Sequence, residues 1–423
     1  MLRRTFSLLL ASLAVSACST LGLGGREPPR PVIGANLPST AQATPKATPG
    51  SGGTRVAILA PLTGPRAEIG AVLVLAARVA LETDGAPHLD QHDTGGTPEG
   101  AANAARAAIA AGAGILLGPL SSAETAAVAP IARAANVPVL AFTNDSAQAQ
   151  PGVWTLGISP AQQAQRLAVA LQAQGKTRLA GLLPENDLGR AMGVGLTQAS
   201  ATLGLGEPRI RTYPAGAGIN ALNPLVREFS DYANRRGPIE AESRAARAAG
   251  TAEARRRSAE IGRRGVPPAP FDAVMLADTG EGLEALASLM SYYDLDRPAV
   301  RVLGPNVWGA GSTGAARLSG AWYAAPDPAN RAAFEQAFLA KGGEPPPAIA
   351  DIAFDAAAIA RVVAPSGFSA SALTRPDGFL GANGLLALLA DGQAKRGLAV
   401  FEIQRGGPQM IEPAPQTVTA PGA

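Results

Sequence analysis

In the stretch Arg55-Val56-Ala57-Ile58-Leu59-Ala60-Pro61-Leu62-Thr63-Gly64, an unbroken apolar run stops at a proline and gives way to a loop. Such a run has no polar side to turn toward water, so it reads as a strand covered on both faces, as in a parallel sheet. The pattern repeats downstream. Ile69 to Leu81 is an apolar helix, Pro87 to Asp93 a strand, and Pro98 to Ala111 a helix. Ile115 to Leu117 is a strand ending at Gly118-Pro119, Thr125 to Ala135 a helix, and Val137 to Ala141 a strand. The alternation then restarts with helix Gln162 to Gln174, strand Leu179 to Leu183, helix Leu188 to Leu203, strand Arg209 to Tyr213 and a helix from Asn220. Phe271 to Leu276, Val300 to Leu303 and Trp322-Tyr323 follow as strands, with helices at Gly282 to Tyr293, Asn330 to Ala340 and Ile349 to Val363. Asp391-Gly392, flanked by Leu385 to Ala390 and Gly397 to Gln404, signals a tight hairpin. Two α/β units of similar size predict two doubly wound parallel-sheet lobes with a central cleft.

Upstream of Thr54 the composition changes. Residues 19–53 alternate Pro, Gly, Ala and Thr and hold too little apolar surface for a core, so they read as a flexible linker. A coil of that length spans about 30 Å. Before it, Arg3 and Arg4 precede an apolar stretch from Phe6 to Val15, then small residues and Cys18. A basic start, a short apolar core and small residues are the marks of a secretory signal. The apolar stretch is shorter than the ~20 residues a membrane span needs. The run Leu13-Ala14-Val15-Ser16-Ala17-Cys18 resembles the bacterial lipobox. That resemblance implies cleavage after residue 17 and a lipid anchor on Cys18, with residues 18–53 as the tether. Ser19 follows, and the absence of aspartate there resembles outer-membrane sorting, which favours the outer over the inner membrane.

Composition excludes several classes. The chain is 47% hydrophobic, enough for two lobes, and carries a formal charge of only +3, which does not point to nucleic acid. Cys18 is the only cysteine, so no disulfide forms within the chain. There is no His-Glu-x-x-His, Gly-x-Ser-x-Gly or phosphate-loop motif, and no nucleophile has a visible base, so the chain does not read as an enzyme. His88, Asp90 and His92 alternate on one side of a strand, but a third firm metal ligand is not evident, and neither metal nor cofactor is expected.

Residues 231–268 interrupt the alternation with an Arg/Ala-rich helical insertion in the second lobe. Glu240 and Arg244, Glu253 and Arg257, and Glu260 and Arg264 are spaced four apart, acid first, which supports exposed helices. The segment reads either as a solvated helical excursion or as a basic docking surface for a partner protein, carried by Arg255, Arg256 and Arg257.

The stretch from Arg55 to Gly64 resembles the opening of type I periplasmic binding proteins such as the leucine/isoleucine/valine binders. Asp93-Thr94-Gly95-Gly96, Gly118-Pro119-Leu120-Ser121-Ser122 and Val137-Pro138-Val139-Leu140 fall at matching intervals. Within that superfamily the chain is most similar to the penicillin-binding-protein activator lipoproteins. That likeness rests on Ala141-Phe142-Thr143-Asn144-Asp145, Phe271-Asp272-Ala273-Val274, Gly304-Pro305-Asn306-Val307-Trp308 and Gly320-Ala321-Trp322-Tyr323. The family fold implies lobe 1 from 54–160 plus 312–376 and lobe 2 from 161–311 plus 377–412, then a tail from 413–423. Crossings are expected near Ser159, Gly311 and Asp377.

The resemblance also implies a ligand cleft. In the amino acid binders the loop matching Gly118 to Ser122 holds a carboxylate at a helix start, where backbone N–H groups favour an anion. Ser121 and Ser122 stand there, and simple helix capping is the competing role. Thr143, Asn144 and Asp145 follow the next strand, where Asp145 would receive an ammonium or a sugar hydroxyl, or cap a turn. Asp187-Leu188-Gly189-Arg190 lacks the aromatic that the binders carry, and Asp278 and Glu281 are the acids available to an amino group from the second lobe. Some activators carry a further helical-repeat domain ahead of this fold, where this sequence has the linker. Two functions remain open. One is an activator of a peptidoglycan synthase, a bifunctional penicillin-binding protein, acting by contact. The other is the solute-binding component of an ABC importer that delivers amino acids or similar polar ligands to a permease.

Overall fold

A computed structural model of the protein describes residues 32–33, 55–295, 298–310 and 318–418. Cys18 and most of the expected tether lie outside the described residues.

Arg55–Ala60 is an interior strand of a five-stranded parallel sheet. The order is Leu89–Asp93, Arg55–Ala60, Ala113–Leu117, Val139–Ala141 and Val153–Thr155. The reason for its unbroken apolar run is visible in its two faces. Val56, Ile58 and Ala60 join a core with helices Ala67–Leu81 and Ala350–Val363. Ala57 and Leu59 join another with helices Pro98–Ala110 and Ser122–Ala134. All five side chains are fully buried, and each large one contributes about 1.5–3 kcal/mol by leaving water.

The second lobe is built on seven strands, in the order Gly407–Glu412, Ala399–Gln404, Trp322–Ala325, Arg301–Gly304, Ala273–Leu276, Leu179–Pro184 and Arg209–Tyr213. Five of these run parallel, and the hairpin of Ala399–Gln404 and Gly407–Glu412 adds antiparallel pairing at one edge. A third, four-stranded sheet joins Val32–Ile33, Phe379–Gly381, Gly384–Leu388 and Ala394–Arg396. Phe379, Leu386, Leu388 and Ala394 pack into the first lobe's core.

The expected division of the lobes is corrected in two places. Trp322–Ala325 pairs with Arg301–Gly304 in the seven-stranded sheet, so the second crossing follows Ala325 instead of lying near Gly311. Residues 379–396 pack with the first lobe, so the third crossing lies between Arg396 and Ala399 instead of near Asp377. Apolar strands look alike whichever sheet holds them, and the sequence carries no mark of the partner. The Asp391-Gly392 turn is corrected in the same way. It joins Gly384–Leu388 to Ala394–Arg396, whereas Ala399–Gln404 belongs to the other sheet. Val153–Thr155 is too short to read from sequence.

Residues 231–268 form a hairpin of helices Tyr232–Arg247 and Ala252–Gly262. Glu240 pairs backward with Arg236 at 3.7 Å, and Arg264 crosses the hairpin to Glu242 at 2.8 Å. The root is fastened by Arg235, which is buried and donates to the carbonyls of Ser230, Pro267, Tyr293 and Asp294. Among the described residues no helix is long and apolar enough to cross a membrane.

Candidate functional site

The parallel strands of both lobes end on the side where the chain crosses between them, so the loops at those ends face one another across the cleft. On the first lobe, Asp93 closes its strand and accepts from the backbone of Leu62, Thr63 and Gly95 at 2.8, 3.2 and 2.8 Å and from the Thr63 hydroxyl at 2.6 Å. Burial pushes its carboxyl up, but these donors outweigh it and hold the pKa below the usual carboxylate range. The next loop turns at Gly118, with φ +88°. A side chain there would also meet the Leu59 carbonyl, 2.4 Å from the added carbon.

Ser121 caps helix Ser122–Ala134 in a full capping box. Its backbone N–H and hydroxyl donate to Glu124 Oε2 at 3.0 and 2.5 Å. Glu124 is buried, and its other oxygen accepts from the Thr94 hydroxyl at 2.7 Å. Ser122 Oγ lies 2.9 Å from Thr143 Oγ1, which also accepts from the Asp145 N–H at 3.1 Å. Asp145 accepts from Ala147 N and Gln148 Nε2 and so caps the short turn Ser146–Gln148, while Asn144 is exposed. The capping role open to Ser121 and Asp145 is therefore present at both.

On the second lobe, Asp187 is fully exposed and pairs with Arg190 within its own helix. Asp278 is half-buried. It accepts from the Tyr213 hydroxyl at 2.7 Å, from the end of a strand two places away in the sheet. Burial and then this hydrogen bond push the Tyr213 phenol far above its ordinary range, so it remains a donor. The Asp278 carbonyl accepts from Trp308 Nε1 at 3.0 Å. Trp308 is 2% exposed and lies over Gly304, where an added side-chain carbon would stand 2.2 Å from the ring.

Asp278 and Glu281 line a pocket of about 490 Å³ with Glu284, Ser288 and the loop at Gly216–Ile219. Every lining residue belongs to the second lobe, so this pocket does not bring Ser121, Ser122, Thr143, Asn144 or Asp145 to Asp278 and Glu281. Glu284, Ser288 and Tyr213 were not legible as site residues. The Ser121-x-x-Glu124 spacing does carry the signal of a capping box. At the far edge of the first sheet, Arg55 holds Asp90 through Nε at 2.5 Å and Nη2 at 2.6 Å. Among the described residues no group of three His, Cys, Asp or Glu side chains is placed to hold a metal.

Two doubly wound lobes, crossed three times by the chain and open along their strand ends, define a two-lobed binding-protein fold. Residues 53–408 match the family model for periplasmic binding proteins, and the chain belongs to that family, in its type I, leucine-binding-like form. It is similar in structure to full-length LpoA from Haemophilus influenzae, with 16% identity and a TM-score of 0.60, over 86% of this chain and 59% of that one. The chain thus spans less than two thirds of full-length LpoA. The C-domain of the same protein, described as a regulator of PBP1A, gives 16% identity and a TM-score of 0.58 over 84% of this chain and 99% of that one. An ABC transporter substrate-binding protein from Sphaerobacter thermophilus gives 15% identity and 0.57 over 86% and 98%. Likeness at these identities is a likeness of fold. No curated protein matches the chain by sequence. The family and these neighbours are binding and regulatory proteins.

Proposed function

We propose that this protein is a periplasmic lipoprotein that stimulates a peptidoglycan synthase, a bifunctional penicillin-binding protein, by protein contact. The observation that carries the reading is the state of the cleft side chains. Ser121, Ser122, Thr143, Asp145 and Asp278 each have a hydrogen-bond partner within their own lobe. A site built to capture a polar solute presents convergent groups that the ligand completes. Here each of these groups already has a partner in the fold, which supports a structural role for them and leaves the outer surface to do the work. The anchor in this reading is lipid on Cys18, placed in the outer membrane by the residue that follows it. The LpoA likeness fits this reading through the fold.

A second reading has one observation in its favour. The pocket of about 490 Å³ is of ligand size, and Asp278, Glu281 and Glu284 around it suit an ammonium group, as in the solute-binding component of an amino acid importer. A thermal-shift series with amino acids, short peptides and muropeptides separates the two. A ligand at about 100 times its Kd adds about 2.7 kcal/mol of stability. The activator reading expects no shift, and a clear shift with one ligand class transfers the function to solute binding.

A further inference from the structure

The helical hairpin at 232–262 stands at the pole of the second lobe opposite the cleft. Helix Gly280–Tyr292 begins at the pocket and runs away from it, and Arg235 fastens the hairpin to the carbonyls of Tyr293 and Asp294 just past that helix's end. Thirteen residues at about 1.5 Å each put roughly 20 Å between the start of that helix and the hairpin's root, although the pocket itself follows the helix as far as Ser288. Arg55 begins a strand that ends at the cleft, so the hairpin and the start of that strand lie at opposite ends of the molecule.

The hairpin carries charge that the protein itself does not answer. Residues 231–268 hold nine arginines against five carboxylates, a surplus larger than the formal +3 of the entire chain. Arg244, Arg247, Arg255, Arg256, Arg257 and Arg263 are exposed, and among the described residues none has a carboxylate within 4.0 Å. The buried stripe of the second helix is Ala254, Ser258 and Ile261. Arg256 and Arg263 fall on the opposite side of the helix from that stripe, facing away from the hairpin's own packing. Beside the root, Tyr292 is 70% exposed, the most exposed large hydrophobic side chain among the described residues, and its ring stands edge-on to Tyr293 at 4.9 Å. Tyr293 in turn meets Tyr232 at the start of the hairpin, also at 4.9 Å. Arginine and tyrosine are among the residues that most often anchor protein interfaces, and a guanidinium suits a carboxylate in two-point contact.

We infer that this arginine face, with Tyr292 at its edge, is the docking surface for an acidic patch on the partner protein. The inference rests on the activator reading and gives it a location: contact is made at the far pole of the second lobe, away from the strand ends that face the cleft. Six exposed arginines and few large apolar groups make the attachment electrostatic, so it weakens with salt.

The test is the affinity of the full chain for the purified bifunctional penicillin-binding protein of the same organism, at low and at physiological salt. It is repeated with R255S/R256S/R257S, with Arg256→Glu, and with Tyr292→Ala. These positions are exposed, and a melting curve like the parent's checks that each variant folds. The expected result is at least a tenfold loss of affinity in the triple variant, with a shallower dependence on salt, and a smaller loss for Tyr292→Ala. Parent and triple variant binding alike would overturn the docking surface and leave the activator reading standing. A parent that does not bind the synthase at all would overturn the activator reading, and the assigned partner with it. Arginine-dependent binding to phosphatidylglycerol vesicles, with synthase binding unchanged in the variants, would overturn the inference in favour of a lipid surface.

Discussion

Arg396 Nη1 donates to Asp355 Oδ2 at 2.8 Å, and the two side chains are 2% and 0% exposed. The same guanidinium donates through Nε to the carbonyl of Leu156 at 2.8 Å, and the second Asp355 oxygen accepts from the Ala382 N–H at 2.6 Å. One ion pair therefore ties the first and third crossings to helix Ala350–Val363. A second arginine does the matching task on the other side: Arg166, 1% exposed, donates to the carbonyls of Leu398 and Pro413 and to Glu412.

Replacing Asp355 with Ala leaves a buried guanidinium without its carboxylate and an N–H without its acceptor. The expected loss is about 3–5 kcal/mol. Thermal melting checks it, and the double variant D355L/R396L is expected to melt above D355A, because an apolar pair leaves no orphaned charge. Equal melting of D355A and the parent would remove the pair from the list of stabilising contacts.

Ser121 caps its helix, and the activator reading gives it no ligand to hold. Ser121→Ala is expected to cost about 1 kcal/mol of stability through the lost cap. Stimulation of the synthase at a temperature well below the melt is expected to be unchanged. A loss of stimulation with the melt unchanged would place Ser121 in the working site.

Gly304 leaves the room that Trp308 fills. Gly304→Ala is expected to displace the ring, break its donation to the Asp278 carbonyl and cost about 1–3 kcal/mol. Tryptophan emission reads this directly, since Trp154, Trp308 and Trp322 are all buried and a shift to the red marks a ring reaching water.

Asp272 gives the pH dependence. Burial pushes its carboxyl up, but donors from Arg178 and the Thr177 backbone prevail, and the folded pKa lies below the ordinary value. A depressed folded pKa means that the ionised form is bound better in the folded state. The contribution is therefore present above the unfolded pKa, about 3.9, and is lost as pH falls through the lower folded value. Asp272→Asn is expected to melt below the parent at pH 7, with the gap narrowing below about pH 4. A gap independent of pH would show that the charge is not what matters.

Much of the fold was legible because strand and helix differ in their apolar period. Arg55–Ala60 and Arg209–Tyr213 have the boundaries that the sequence implies, and the helices depart by a residue or a few at their ends. Sheet membership was not legible. Trp322–Ala325 is apolar and covered on both faces in one lobe, as Val139–Ala141 is in the other, and nothing in either run names its neighbour. The site was partly legible for a related reason. Thr143 and Asp145 stand two apart and their local role could be read. Tyr213 and Asp278 meet only because the strand Leu179–Pro184 separates their strands in the sheet, an order the sequence does not write.

The central claim is that this protein acts on a synthase by contact and not on a solute by capture. Glycan polymerisation by the purified bifunctional penicillin-binding protein, measured as this protein is titrated in, tests it most directly. The account predicts a saturable rise in rate that amino acids do not alter. A rate that stays flat across the titration, with a melt that amino acids raise, would contradict it.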